Sequence, residues 1–226
     1  LVVYDDTPIV VYTERGTPPR TFMKGYNSST KSWGNLPANM FKPEESSFGQ
    51  LALDEKNGLF LAVTLDREKK ILILRFDDGS WIPEQQDSKT GMELFERIAN
   101  RPFSFSVHDG FPMIAFLDQR QGGEVAVMQL HKQVWRSLGD TVLSSGQAEF
   151  LSLQYPFIVF HDAGMNGQAR LLEFYKDEWV AQCIPFSQES ALGLSLAKGD
   201  KGIPIVAFQD QDMNGKLRVR KCSSIP

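Results

Sequence analysis

Five carboxylates, Glu14, Asp66, Asp118, Asp162 and Asp210, recur at intervals of 52, 52, 44 and 48 residues. Each closes a seven-residue apolar segment: 8–14, 60–66, 112–118, 156–162 and 204–210. One acid at the same end of each segment places all five toward one face of the fold that carries them. Such a ring could hold a cation or a cationic ligand. It could equally serve the chain itself, because an Asp at a strand end accepts N–H groups from the turn that follows. A residue present in every unit does the unit's own job, so turn capping is the expectation.

A second pattern points to metal. Asp210-Gln211-Asp212-Met213-Asn214-Gly215 has the D-x-D-x-N-G opening of a calcium loop. The closing carboxylate is missing, since Arg218 and Lys221 occupy the later positions. The related run Asp162 to Gly167 has Gly164 at the second ligand position. Asn-Gly is also the strongest hairpin signal, so the turn reading leads. Asp210, Asp212 and Asn214 stay as weak candidates for calcium, and no cofactor is expected. His108, His131 and His161 show neither i,i+4 spacing nor an H-E-x-x-H motif, and read as turn or surface histidines. A glycosidase needs two carboxylates flanking a sugar. The non-repeated acids near inner strands are Asp54, Glu55, Asp109, Glu149 and Asp200, and all but Glu149 adjoin turns. There is no G-x-S-x-G, nucleotide loop or metal triad, so no catalytic residue is assigned and a non-enzyme is favoured.

The elements that position these groups come from one repeat. Trp33, Trp81, Trp135 and Trp179 follow their carboxylates by 19, 15, 17 and 17 residues. Each unit reads as four short strands. The first is apolar with a small central residue, as in Leu51-Ala52-Leu53, Phe105-Ser106-Val107, Leu151-Ser152-Leu153 and Leu194-Ser195-Leu196. The second is apolar at successive positions, which requires cover on both faces. The third is mixed, and the fourth carries the Trp. Polarity rising from the second strand outward is what a radial blade demands. The sequence therefore predicts an all-β, five-bladed β-propeller with four antiparallel strands per blade, as one domain over 1–226. The blades are expected near 1–40, 48–90, 103–142, 147–186 and 191–226. The last is incomplete at the C-terminus, because a Trp 15–19 residues after Asp210 would fall at 225–229 and the sequence stops at Pro226. Its outer strand is expected from residues outside the chain, from a partner or from a neighbouring copy.

The wording of the repeat resembles a known pattern. Gly202-Ile-Pro-Ile-Val-Ala-Phe-Gln-Asp210 followed by Asn214-Gly215-Lys216, and Trp135-Arg-Ser-Leu-Gly139, are similar to propeller repeats of the form G-x-P-x-V-A-[FY]-x-D…G-K…W-x-x-[LV]-G. Such repeats occur in secreted or surface microbial proteins. The resemblance covers most of the chain, best over 110–226. Blades 1 and 2 depart from it at Glu14 and Phe60 and lack the Gly-Lys pair. It implies a fold and an extracellular or cell-surface setting, not an activity.

Composition excludes several classes. The chain has 226 residues, 42% of them hydrophobic and 23% charged, with a formal net charge of −4. There is no basic stripe for nucleic acid or an anionic membrane, and no apolar run long enough to span a bilayer. No charged leader opens the sequence, so any targeting segment is expected to have been removed or to lie outside it. Cys183 and Cys222 lack zinc spacing and are read as free, half-buried thiols rather than a disulfide.

The blades differ most in the connections that leave the Trp strands. These are long after blades 1 and 2 and carry Met40, Phe41, Met92, Leu94 and Phe95, with 92–99 able to form a short helix. Apolar loops on a rigid scaffold form a partner site, or else fold down as a plug. The leading functional reading is a non-catalytic binding or scaffold module that presents one face to a protein partner through these five residues. The alternative is a carbohydrate-binding lectin, and a glycosidase-like enzyme stands third.

Overall fold

The computed structural model describes residues 1–36, 45–56, 58–84, 88–98, 103–139, 142–183, 187 and 190–222. Among these, five antiparallel sheets repeat one up-and-down topology. Sheet 1 holds Val2–Tyr4 (β1), Thr7–Glu14 (β2), Arg20–Asn27 (β3) and Ser32–Asn35 (β4). Sheet 2 holds Gly49–Leu53 (β5), Leu59–Leu65 (β6), Lys70–Asp77 (β7) and Ser80–Pro83 (β8), and is followed by the helix Ser88–Ile98 (α1). Sheet 3 holds Ser104–His108 (β9), Phe111–Asp118 (β10), Glu124–His131 (β11) and Val134–Ser137 (β12). Sheet 4 holds Ala148–Gln154 (β13), Phe157–Asp162 (β14), Gln168–Tyr175 (β15) and Glu178–Gln182 (β16). Sheet 5 holds Ala191–Lys198 (β17), Pro204–Asp210 (β18) and Lys216–Lys221 (β19), three strands among the described residues where the others have four. The fold class is the five-bladed β-propeller expected from the repeat.

Burial follows the predicted gradient. Every residue of β6 is buried, as are seven of the eight in β10, whereas β4 is exposed throughout. All four tryptophans occupy the second position of a fourth strand. Trp33, Trp81 and Trp179 each sit opposite an aromatic ring on the third strand: Tyr26, Phe76 and Phe174. The ring centroids lie 5.4, 5.2 and 5.2 Å apart. Tight hairpins such as Asp78-Gly79, Asp109-Gly110 and Lys132-Gln133 take positive φ at both turn residues, which matches the right-handed strand twist. Inner strands β13 and β17 both bulge at one place. The left-handed residue there is Gly193 in β17 but Phe150 in β13.

The contact pattern divides the chain into two compact units, 1–112 with 130–135, and 113–129 with 136–226. The core of the first includes Ile9, Met23, Leu51, Leu61, Val63, Leu74 and Trp81, packed between sheets 1 and 2. The second has two clusters, one around Met113, Val127, Ile158 and Phe160 and one around Val159, Leu171, Val206 and Phe208.

The cysteines correct the sequence reading: Cys183 and Cys222 form a disulfide, with Cα atoms 6.1 Å apart. The reason is positional. The third-strand residue six beyond the partner of the repeat carboxylate is Tyr26 in sheet 1 and Phe174 in sheet 4, each beneath a Trp. In sheet 5 that residue is Cys222. Sheet 5 has no described Trp strand there, and Cys183 reaches in from the end of β16 instead.

Candidate functional site

The repeated carboxylates belong first to their own turns. Asp118, Asp162 and Asp210 each accept the backbone N–H two residues on, from Arg120, Gly164 and Asp212, at 3.0, 3.1 and 3.1 Å. Each carbonyl then accepts the N–H five residues on, from Gly123, Gly167 and Gly215. The capping expected from sequence is what these three side chains do. Asp162 is buried and also accepts Ser145 N, Ser145 Oγ and Arg170 Nη1. Asp66 accepts Ser47 Oγ at 2.8 Å.

A paired-serine device stands behind this pattern. Ser47 and Ser145 bind the carboxylate of their own sheet, while Ser46 and Ser144 reach the third strand of the sheet before. Ser46 Oγ donates to Thr21 Oγ1 at 3.1 Å, and Ser144 Oγ accepts Val125 N at 3.0 Å. Ser187 accepts Ala169 N in the same way. The signal was present as Ser-Ser at 46–47 and 144–145, in connections of otherwise unequal length.

The weak calcium candidates are arranged for the turn. Asp210 Oδ1 takes Asp212 N, and Oδ2 lies 2.9 Å from Arg218 Nη1. Asn214 is the left-handed residue that ends the turn, at φ 55°. Among the described residues no three His, Cys, Asp or Glu side chains come together as a metal site. The non-repeated acids are scattered or already engaged. Glu55 Oε1 lies 3.3 Å from His108 Nδ1, and Asp109 pairs with Lys56 at 3.1 Å. The hydrogen bond from Lys56 holds the Asp109 carboxyl below its ordinary value. Asp54 is buried beside them, whereas Glu149 and Asp200 belong to the other unit. His131 stacks on Phe111, and His161 Nε2 lies 3.4 Å from Ser190 Oγ.

Of the five apolar loop residues, the three that are described do not share one exposed surface. Met40 and Phe41 lie outside the described residues. Leu94 and Phe95 are 1% and 7% exposed, on the side of α1 that is buried with Ile98, while Met92 is 42% exposed.

The feature with the geometry of a binding site lies between sheets 1 and 2. A cavity of about 310 Å³ is lined by Tyr4, Asp5, Thr7, Ile9, Met23, Leu36, Leu59, Phe76, Gly79 and Trp81. Its origin is visible by comparison with sheets 3 and 4. There, Trp179 Nε1 donates to Leu138 O at 2.7 Å, and Gly139 lies so close that an added Cβ would stand 2.7 Å from Trp179 Cδ1. Tyr155, just before β14, packs on Phe174 at 6.1 Å. Between sheets 1 and 2 the contacts among the described residues differ. Leu36 holds the place of Leu138, three residues after its Trp and bonded back to its third strand, Leu36 N to Met23 O and Leu138 N to Val127 O. Yet among the described residues no group accepts the Trp81 indole N–H. Gly58 leads into β6, and the ring that meets Phe76, at 5.8 Å, is Tyr4 of sheet 1. The result is a space walled by three aromatic rings, with an unanswered N–H donor, the Asp5 carboxylate and the Thr7 hydroxyl around it.

No protein-family model matches the chain, and no curated protein does. Solved structures share the fold. A triple arginine-to-alanine mutant of AofleA from Arthrobotrys oligospora aligns with a TM-score of 0.59 at 10% identity, over 98% of this chain and 67% of that one. A prolyl endopeptidase aligns at 0.57 and 10% identity, over 100% of this chain and 34% of that one. The intramolecular trans-sialidase from Ruminococcus gnavus, in complex with oseltamivir carboxylate, aligns at 0.51 and 17% identity, over 91% of this chain and 50% of that one. The chain thus spans a third to a half of the length of several structures it resembles. At these identities the likeness is one of fold. Among the described residues no helix is long and apolar enough to cross a membrane.

Proposed function

We propose that the chain is a non-catalytic binding module whose ligand is a carbohydrate, held in the cavity between sheets 1 and 2. The observation that carries this reading is the unpaired indole N–H of Trp81 in an aromatic-walled pocket, at a position where the equivalent Trp179 is satisfied internally. An indole N–H with no protein acceptor is a donor that a ligand hydroxyl can take. A pyranose suits the site: its C–H face packs on aromatic rings and its hydroxyls meet a few fixed polar groups. The cavity has the few-hundred-Å³ size of small-molecule sites. Several fold neighbours are named as sialidases, but the reading rests on the pocket and not on their names.

An extracellular setting belongs to the same proposal, because a structural disulfide persists in oxidising compartments. Presentation of a face to a protein partner is the second reading, and the exposure of Met92 is what favours it.

The test is a glycan array followed by calorimetric titration of the best hit. Trp81→Phe keeps a ring and removes the N–H, and should weaken binding about five- to tenfold, the worth of one hydrogen bond. If no glycan binds at millimolar concentration, the carbohydrate reading is wrong.

A further inference from the structure

A second, open and shallow hollow adjoins the first on the outer side of sheet 1. It has a volume of about 460 Å³ and shares Thr7 and Leu36 with the aromatic pocket, so the two adjoin there. Its character is opposite. Apart from Leu36, the lining consists of glycines, hydroxyls, amides and the Tyr26 ring. Some of those polar groups serve the β3–β4 turn: Asn27 Oδ1 accepts Ser29 N and Thr30 N, and Thr30 Oγ1 meets Ser32 Oγ at 2.8 Å. Others do not. Asn35, Ser28 and the Tyr26 hydroxyl have no hydrogen-bond partner among the described residues. Asn35 projects from β4, whose backbone is fixed to β3 by the Lys24–Asn35 register. Tyr26 and Asn35 are therefore mounted on strands, and Ser28 lies in the turn that joins them.

From this juxtaposition we infer that the two cavities are one extended site, and that its ligand is an oligosaccharide of at least two rings. The inference rests on the carbohydrate reading above and narrows it. One ring occupies the pocket of Tyr4, Phe76 and Trp81. The chain then crosses Thr7 and Leu36, and the next ring meets Asn35, Ser28 and the face of Tyr26. An apolar or aromatic small molecule would use the first cavity and leave the polar one without purpose. A single sugar would do the same. Two linked sugars use both, since each ring carries an apolar face and a hydroxylated rim.

The experiment compares manno-, gluco-, xylo- and galacto-oligosaccharides of one to four units by calorimetric titration of the native chain and of Asn35→Ala. In the native chain the second unit should tighten binding about five- to tenfold. In Asn35→Ala that gain should shrink to less than twofold. A measurement independent of variant folding follows the Tyr26 ring protons by NMR, which should shift with the disaccharide and stay in place with the monosaccharide. If sugars bind but affinity is the same for one unit as for two, or if the gain survives in Asn35→Ala, the extended site is refuted and the single-pocket reading stands. If no sugar binds at all, both fall.

Discussion

Asp162 shows how a side chain with apparent catalytic promise is used up by architecture. Its carboxylate is fully buried and accepts bonds from Gly164 N, Ser145 N, Ser145 Oγ and Arg170. Asp162→Ala would leave those donors unanswered in a low-dielectric setting, so urea denaturation should show a loss of about 2–4 kcal/mol. A loss below 0.5 kcal/mol would mean that the network contributes nothing. Asp109 is the opposite case, an exposed carboxylate held by Lys56 with its pKa lowered. The ionised form is favoured on folding, so its small contribution is present above the ordinary Asp range. It fades as the pH falls through the lowered value. Carbon-detected NMR titration of Lys56→Ala should return the Asp109 pKa upward, and an unchanged value would discount the pair. The capping role of Asp118, Asp162 and Asp210 was legible because it is local, two residues from side chain to donor. The further partners of Asp162 were not, because Ser145 and Arg170 reach it from other elements.

Elements differ in what fills the space beside each Trp. Gly139 has φ 75°, and a Cβ there would stand 2.7 Å from Trp179 Cδ1. Gly110 has a similar φ of 78° and open space around it. Gly110→Ala should therefore cost only the left-handed strain, about 1 kcal/mol, while Gly139→Ala adds a clash and should cost about 2–3 kcal/mol. Equal losses in thermal melts would show that the close approach to Trp179 is not what that seam depends on. The α1 helix teaches a related lesson. Its apolar residues were visible in sequence as a segment outside the strands, but either a partner or the protein's own core could have covered them. Leu94 and Phe95 turn inward with Ile98, and Met92 stays out.

At the scale of the molecule, the disulfide fastens the last described strand to its neighbour sheet. It closes a loop with a sequence separation of 39. In the chain-entropy account such a loop is worth about 4 kcal/mol. Reduction, or Cys222→Ser, should then lower the melting temperature of this chain by roughly 10 °C at its size. A melt unaffected by reductant would show that the covalent link is redundant with packing.

The sequence by itself determined the repeat, the five sheets, the common place of the tryptophans and the capped turns. Those features depend on neighbours within a few residues, or on a pattern that each unit restates, and periodicity exposes both. Tertiary structure alone decided the seams. Whether Trp81 finds an acceptor depends on Leu36, 45 positions away, and on the absence of a ring before β6. Whether two cysteines meet depends on one standing where other sheets carry an aromatic. A cavity is a failure of distant surfaces to fill the same space, and no local pattern records it.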